Sequence, residues 1–261
     1  MSDKKTCLII QSGAMGDIFV VAPIAEQYYK RGYLVYWPVR KAYFNFVSNY
    51  LPYVSALLVT DEKFPALNPD WLRSDTMHLK SIAERGHYDL VLDLADRGAT
   101  PNELPGETFE ETKYRIAQVL FSVKNHMSWV RNYERETELK HQIQSLYRID
   151  IDKDSYVVAH LQSSHGDKAE MPAHEKRQVI EIMHLMDYEI ADWFPIIKNA
   201  EAVYAVESSV HQFIDGAMYA LLYEELDILL PKKKFYLLSR SSLQPGQSYT
   251  KSINWDKSYM K

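Results

Sequence analysis

The stretch Thr6-Cys7-Leu8-Ile9-Ile10-Gln11, followed at once by Ser12-Gly13-Ala14-Met15-Gly16-Asp17, decides the fold. A short, nearly continuous apolar run that ends in a glycine-bearing turn is the pattern of a strand buried on both faces, as in a parallel sheet. Behind the turn, Ile18, Phe19, Val20, Val21, Ala22, Ile24 and Ala25 continue as a helix, with Asp17 in the first turn, where the macrodipole favours a carboxylate. Gly32 then punctuates the chain and residues 33–37 form a second apolar run, so the opening unit is βαβ.

The alternation continues in both directions from there. Residues 43–50 are expected to be a helix, 56–60 a third strand, 80–85 the end of a helix and 88–94 a buried strand. Four such rounds imply a parallel, doubly wound sheet. A loop at 101–106 precedes helical stretches at 109–121 and 129–146. The acidic polar stretch Asp150–Asp154 marks the expected boundary between an N-terminal Rossmann-like domain, residues 1–150, and a C-terminal one, residues 151–261. The second half restarts with a strand at 156–161 and a polar loop at 162–172. A short apolar run at 179–186, a helix at 193–199, a strand at 202–206, a helix opened by Ser208 and Ser209, and late strands at 228–230 and 235–238 follow. The expected fold class is α/β, two Rossmann-like parallel-sheet domains facing a cleft, the second one reduced.

Composition narrows the function classes. With 46% apolar and 25% charged residues the chain is an ordinary globular one. Its apolar runs fall far short of the roughly 20 residues that cross a bilayer. Cys7 is the only cysteine, which rules out an intrachain disulfide and a thiol-rich metal site and fits a reducing cytoplasm. A net charge of -5 argues against coating nucleic acid by charge alone. Nine histidines stand in no His-Glu-x-x-His or comparable ligand spacing, so no metal site is expected. There is no Gly-x-Ser-x-Gly elbow either.

The turn at 12–17 lacks the third glycine of a dinucleotide fingerprint and the Gly-Lys-Ser/Thr of a P-loop. Its distinctive group is Asp17, which either caps its own helix or, ionised beside a cleft, takes a proton from an attacking hydroxyl. Lys168, in a polar loop, is either a solvated lysine or a phosphate ligand. Ser208 and Ser209 are either ordinary N-caps or, with the helix N-terminus and a lysine, an anion site suited to a diphosphate.

Three segments together resemble the lipopolysaccharide heptosyltransferase (GT9-like) family of GT-B glycosyltransferases. They are residues 7–19 with Pro23, then Ala159-His160-Leu161-Gln162-Ser163-Ser164-His165-Gly166-Asp167-Lys168 running on to Pro172, and Asn199 through Glu207-Ser208-Ser209-Val210-His211. The resemblance implies Asp17 as catalytic base, with Ser12, Gly13, Met15 and Gly16 on the acceptor side. It implies His160, Ser163, Ser164, Lys168, Glu207, Ser208, Ser209 and His211 around the diphosphate of a nucleotide-sugar co-substrate, with no bound cofactor and no metal. Glu207 stands where the family usually has Asp, and Ser209 where it often has Gly. Between Pro172 and Trp193 this chain is shorter than the family pattern.

The expected activity is therefore metal-independent, inverting transfer of a sugar from a nucleotide sugar to an acceptor hydroxyl. Tyr28, Tyr29, Tyr33, Tyr36, Trp37, Tyr43 and Phe44, beside Arg31, Arg40 and Lys41, suggest stacking on a base or a sugar ring. A saccharide and a hydroxymethylated base in phage DNA are the two acceptors to weigh. The competing reading is a non-catalytic GT-B-like accessory protein that binds nucleotide sugars. An epimerase-like enzyme acting on the donor alone is a third.

Overall fold

The first apolar run forms β1 (Thr6–Ile10), which lies between β2 (Leu34–Arg40) and β4 (Leu90–Asp93) in a parallel sheet of order β3-β2-β1-β4, where β3 is Ser55–Val59. The computed structural model describes residues 4–11, 14–59, 88–94, 104, 106–163, 166, 168–182, 188–218, 234–238 and 255–259. Because β1 is central and covered on both faces, Cys7, Leu8, Ile9 and Ile10 are all buried. Burial alone pushes the Cys7 thiol up to about 12, which leaves it inert.

Helix α1 (Met15–Lys30) is buried almost all round, from Ile18 to Glu26, and carries Pro23 in its interior. It packs on the sheet side by side with α3 (Phe109–Ile116) and the 3-10 turn Phe121–Asn125. Its polar contacts fix that packing. Tyr28 Oη donates to the Ala117 carbonyl (2.8 Å), and the buried Glu26 carboxylate accepts from the Ser128 amide (2.8 Å) and hydroxyl (2.7 Å). Helix α2 (Lys41–Tyr50) starts where β2 ends and buries Phe46, Val47 and Tyr50.

The described strands of the second half form a parallel sheet of order β6-β5-β7-β8-β9: β5 (Tyr156–His160), β6 (Gln178–Glu181), β7 (Ala202–Val206), β8 (Lys234–Leu238) and β9 (Asp256–Tyr259). The run at 179–186 thus supplies an edge strand at 178–181. Strand β9 falls in a tail whose sequence shows no strand pattern. The expected helix end at 80–85 and strand at 228–230 lie outside the described residues. The link from β5 to β6 carries no helix among the described residues. Instead Ala169 and Met171 pack on the cluster of Val157, Ala159, Tyr204, Val206 and Leu238. No helix among the described residues is long and apolar enough to cross a membrane.

The chain divides into two compact units at Val130/Arg131, twenty residues before the expected boundary at 150. The reason is α4 (Tyr133–Tyr147), which belongs to the second unit. Arg131 lies over the Phe194 ring (4.3 Å), and Arg135 pairs with the fully buried Asp192 (3.0 Å) in the 3-10 turn Ile190–Trp193 that leads into α5 (Phe194–Asn199). The acidic stretch at 150–154 is not a linker but a self-bonded turn: the Asp150 amide donates to Asp154 Oδ2 (2.7 Å), and Lys153 pairs with Asp150 (2.8 Å).

Two outcomes test this packing. Glu26→Leu leaves the Ser128 amide and hydroxyl without their acceptor and is expected to destabilise the protein by about 2–4 kcal/mol, read as a lower urea midpoint at unchanged slope. In the second unit, the hydrogen-bonded Arg177 guanidinium holds Glu175 at about 2, below the ordinary 4.5 and against the upward push of burial. A carboxyl lowered on folding stabilises fully above pH 4.5, and that contribution is lost as pH falls towards 2. Urea titrations across that window should therefore show Glu175→Gln less stable at pH 7, with its deficit shrinking as the solution is acidified.

Candidate functional site

In an open parallel sheet, ligands gather outside the carboxyl ends of the strands, at the point where strand order reverses. Each unit has such a point. In the first it lies between β1 and β4, because β2 and β3 follow on one side of β1 and β4 on the other; in the second it lies between β5 and β7.

At the first switch point β1 runs into Gln11, and Ala14 caps α1 without a side-chain oxygen of its own. Asp17, at the third helical position, reaches back: its Oδ2 accepts the Ala14 amide (3.0 Å). The capping role anticipated for Asp17 is therefore real, and it fixes the carboxylate at the mouth of the turn. Met15 and Gly16 form the first turn of α1. Ser12 and Gly13 lie outside the described residues. Trp37, expected as a stacking residue, and Lys113, which no motif singles out, hold Gln11 at the end of β1. The fully buried Trp37 donates its Nε1 to the Gln11 carbonyl (3.3 Å), and the fully buried Lys113 donates from Nζ to Gln11 Oε1 (2.9 Å) and to the Leu94 carbonyl just past β4.

At the second switch point His160 closes β5, and Ser208 follows β7 by two residues. Their side chains meet, His160 Nδ1 to Ser208 Oγ at 3.1 Å, with the donor set by the ring's tautomer. Ser208 is the N-cap of α6 (Ser209–Phe213), its Oγ accepting the His211 amide (3.4 Å), and the helical run continues as a π-turn through Met218. Glu207 and His211 are buried, and the His211 ring packs edge-on against Trp255 (4.7 Å) beside β9. Buried Gln212 and Asp215 lie on the same run, and no sequence motif singles them out.

Lys168 is exposed and is held by a bridge to Gln162 and by the Ala169 amide donating to the Leu161 carbonyl (2.9 Å), so its loop folds back on the end of β5. Ser163 is buried in that loop and its carbonyl accepts the Gly166 amide (3.0 Å); Ser164 lies outside the described residues. His160, Ser208, Ser209 and His211 are thus brought together. No hydrogen bond joins Lys168 to them among the described residues.

The aromatic cluster of the first half is spent on structure in part, with Tyr33, Tyr36, Tyr43 and Phe44 partly exposed. Trp37 and Tyr28 are buried, Tyr28 packing with Tyr33 and under Arg31 (4.7 Å), and Tyr36 meets Tyr88 edge-on. Tyr29 is half exposed. Among the described residues, no group of three or more His, Cys, Asp or Glu is placed to hold a metal ion.

Two parallel α/β sheets, each with a polar cluster at its switch point, match a GT-B-like fold. Among solved structures, the chain is similar to a glycosyl transferase family 9 protein from Veillonella parvula DSM 2008 (11% identity, TM-score 0.57, covering 92% of this chain and 82% of that one). It is also similar to the E. coli ADP-heptose lps heptosyltransferase II (10% identity, TM-score 0.51, covering 90% and 84%). At such identities the likeness is one of fold. No protein-family model and no curated protein sequence matches the chain.

Ser208→Ala removes both the helix cap and a hydrogen-bond partner of His160. It is expected to cost about 1 kcal/mol in chemical denaturation, with the fold retained by circular dichroism.

Proposed function

We propose that the chain is an inverting glycosyltransferase that moves a sugar from a nucleotide-diphosphate sugar to an acceptor hydroxyl. The observation that carries this reading is the presence of a polar cluster at the switch point of each sheet, since a two-substrate transfer needs one ligand end for each substrate. The fold shared with the two glycosyltransferases supports it, one of which is named for ADP-heptose.

In this mechanism the first unit takes the acceptor and the second the donor. The Asp17 carboxylate accepts the proton of the acceptor hydroxyl, and that oxygen forms a bond to the anomeric carbon. The bond from that carbon to the diphosphate oxygen breaks, and the nucleoside diphosphate leaves with the electron pair. Negative charge grows on the leaving group, where Lys168, Ser208, Ser209 and the α6 amides supply fixed donors. His160 orients Ser208, and Ser163, Glu207 and His211 shape the donor side. A lysine and oriented amides take the place of a divalent ion, so transfer should persist in excess EDTA.

For the acceptor, Trp37 and Tyr28 are buried, whereas Tyr29 is half exposed and Tyr33, Tyr36, Tyr43 and Phe44 are partly exposed, which leaves rings for a saccharide and a hydroxymethylated base alike. One observation favours the accessory-protein alternative: Asp17 spends one carboxylate oxygen on its helix cap. Transfer assays decide between them. With nucleotide sugars and a panel of saccharides and hydroxymethylated DNA, product mass should rise by one sugar on one of these acceptors. Asp17→Asn should lower turnover on the order of a thousandfold while calorimetric donor affinity stays within about threefold. Lys168→Ala should weaken donor binding about tenfold. Donor binding without any transfer would favour the accessory protein, and consumption of donor alone the epimerase-like enzyme.

A further inference from the structure

Helix α3 reads as a solvated surface helix, Phe-Glu-Glu-Thr-Lys-Tyr-Arg-Ile, yet its Lys113 is as buried as the aromatic core. A lysine taken out of water is costly unless its three donors are used, so what it bonds to is informative. Lys113 bonds to the two chain ends that flank the first switch point: Oε1 of Gln11, the residue that leaves β1, and the carbonyl of Leu94, the residue that leaves β4. Leu94 is tied to the same place from the other side, its amide donating to the Ile10 carbonyl (2.9 Å). Gln11 is further held by the Trp37 indole on its own carbonyl (3.3 Å).

A lysine only donates, so the carboxamide of Gln11 is oriented with Oε1 towards Lys113. Only Ser12 and Gly13 then separate Gln11 from Ala14, whose amide is bound by Asp17. Three Cα–Cα steps of about 3.8 Å each bound how far Ala14 can lie from Gln11, so fixing Gln11 limits where the start of α1 can sit.

We propose that Lys113, acting through Gln11, is the positioning residue for the turn that presents Asp17. The clamp sets where the β1 strand end releases the chain and hence where the Ala14 cap and the Asp17 carboxylate sit. The proposal deepens the reading of Asp17 as the acceptor-side base and rests on it. Lys113 touches no reacting atom in this scheme. Its effect is on geometry, and a displacement of about 1 Å at a reacting group costs up to about a hundredfold in rate.

The test uses the full chain and two variants, Lys113→Met and Gln11→Met. The second leaves the bond from Lys113 to Leu94 intact and guards against a Lys113→Met protein that fails to fold. Amide hydrogen exchange is followed at Ala14 and, as reference, at Val21 and Ala25 in the body of α1; sugar transfer is measured in parallel. The expected result is exchange at Ala14 faster by about tenfold with the reference amides unchanged, and kcat lower by about ten- to a hundredfold at a donor KM within about threefold. Unchanged Ala14 exchange in the folded variants would overturn the proposal. So would acceleration spread evenly over α1, which marks a merely structural role. Should the wild-type protein transfer no sugar to any acceptor, the base assignment fails, while the exchange data still decide whether the clamp holds the turn.

Discussion

Everything in this molecule follows from burying β1 and β5 on both faces in the middle of parallel sheets. Such strands can satisfy their backbone only through their neighbours, and the ladder stops where the strands stop. At the carboxyl ends the unspent polar groups must find side chains. In the first unit these are Trp37 on the Gln11 carbonyl and Lys113 on Leu94 and Gln11. In the second, the side chains of His160 and Ser208 bond each other across the ends of adjacent strands. The polar chemistry of the protein gathers where the apolar architecture runs out.

The same limit explains what the amino-acid sequence could and could not disclose. Residues 6–11, 33–37, 88–94, 156–161 and 202–206 are short, largely apolar runs between turn signals, so their strand character and parallel pairing were legible. The location of the unit boundary was not. The acidic stretch at 150–154 has a linker's composition but closes on itself through Asp150, Lys153 and Asp154. The polar helix α4 shows no strong apolar stripe, and contacts such as Arg135 on Asp192, Lys140 on Asp152 and Gln142 on Tyr188 reveal which unit it joins.

Site residues split along similar lines. Asp17 and Ser208 stood out because helix starts have a chemical signature, and both do cap their helices. Lys113 did not, since a lysine between Thr112 and Tyr114 in a charged helix looks solvated until the fold turns that face inward. The aromatic cluster was legible only in part, for the opposite reason. Tyrosine and tryptophan serve cores and binding surfaces alike, and Trp37 is spent entirely on the interior.

The division at Val130/Arg131 carries a consequence of its own. Each half holds its own sheet, its own covering helices and its own switch point, and the contacts that anchor α4 stay within the second half. The chain is therefore modular at a seam that the sequence disguises. A gene cut at codon 130 would keep α4 with the helix it braces, whereas a cut at the acidic turn would strip it away and part Arg135 from Asp192.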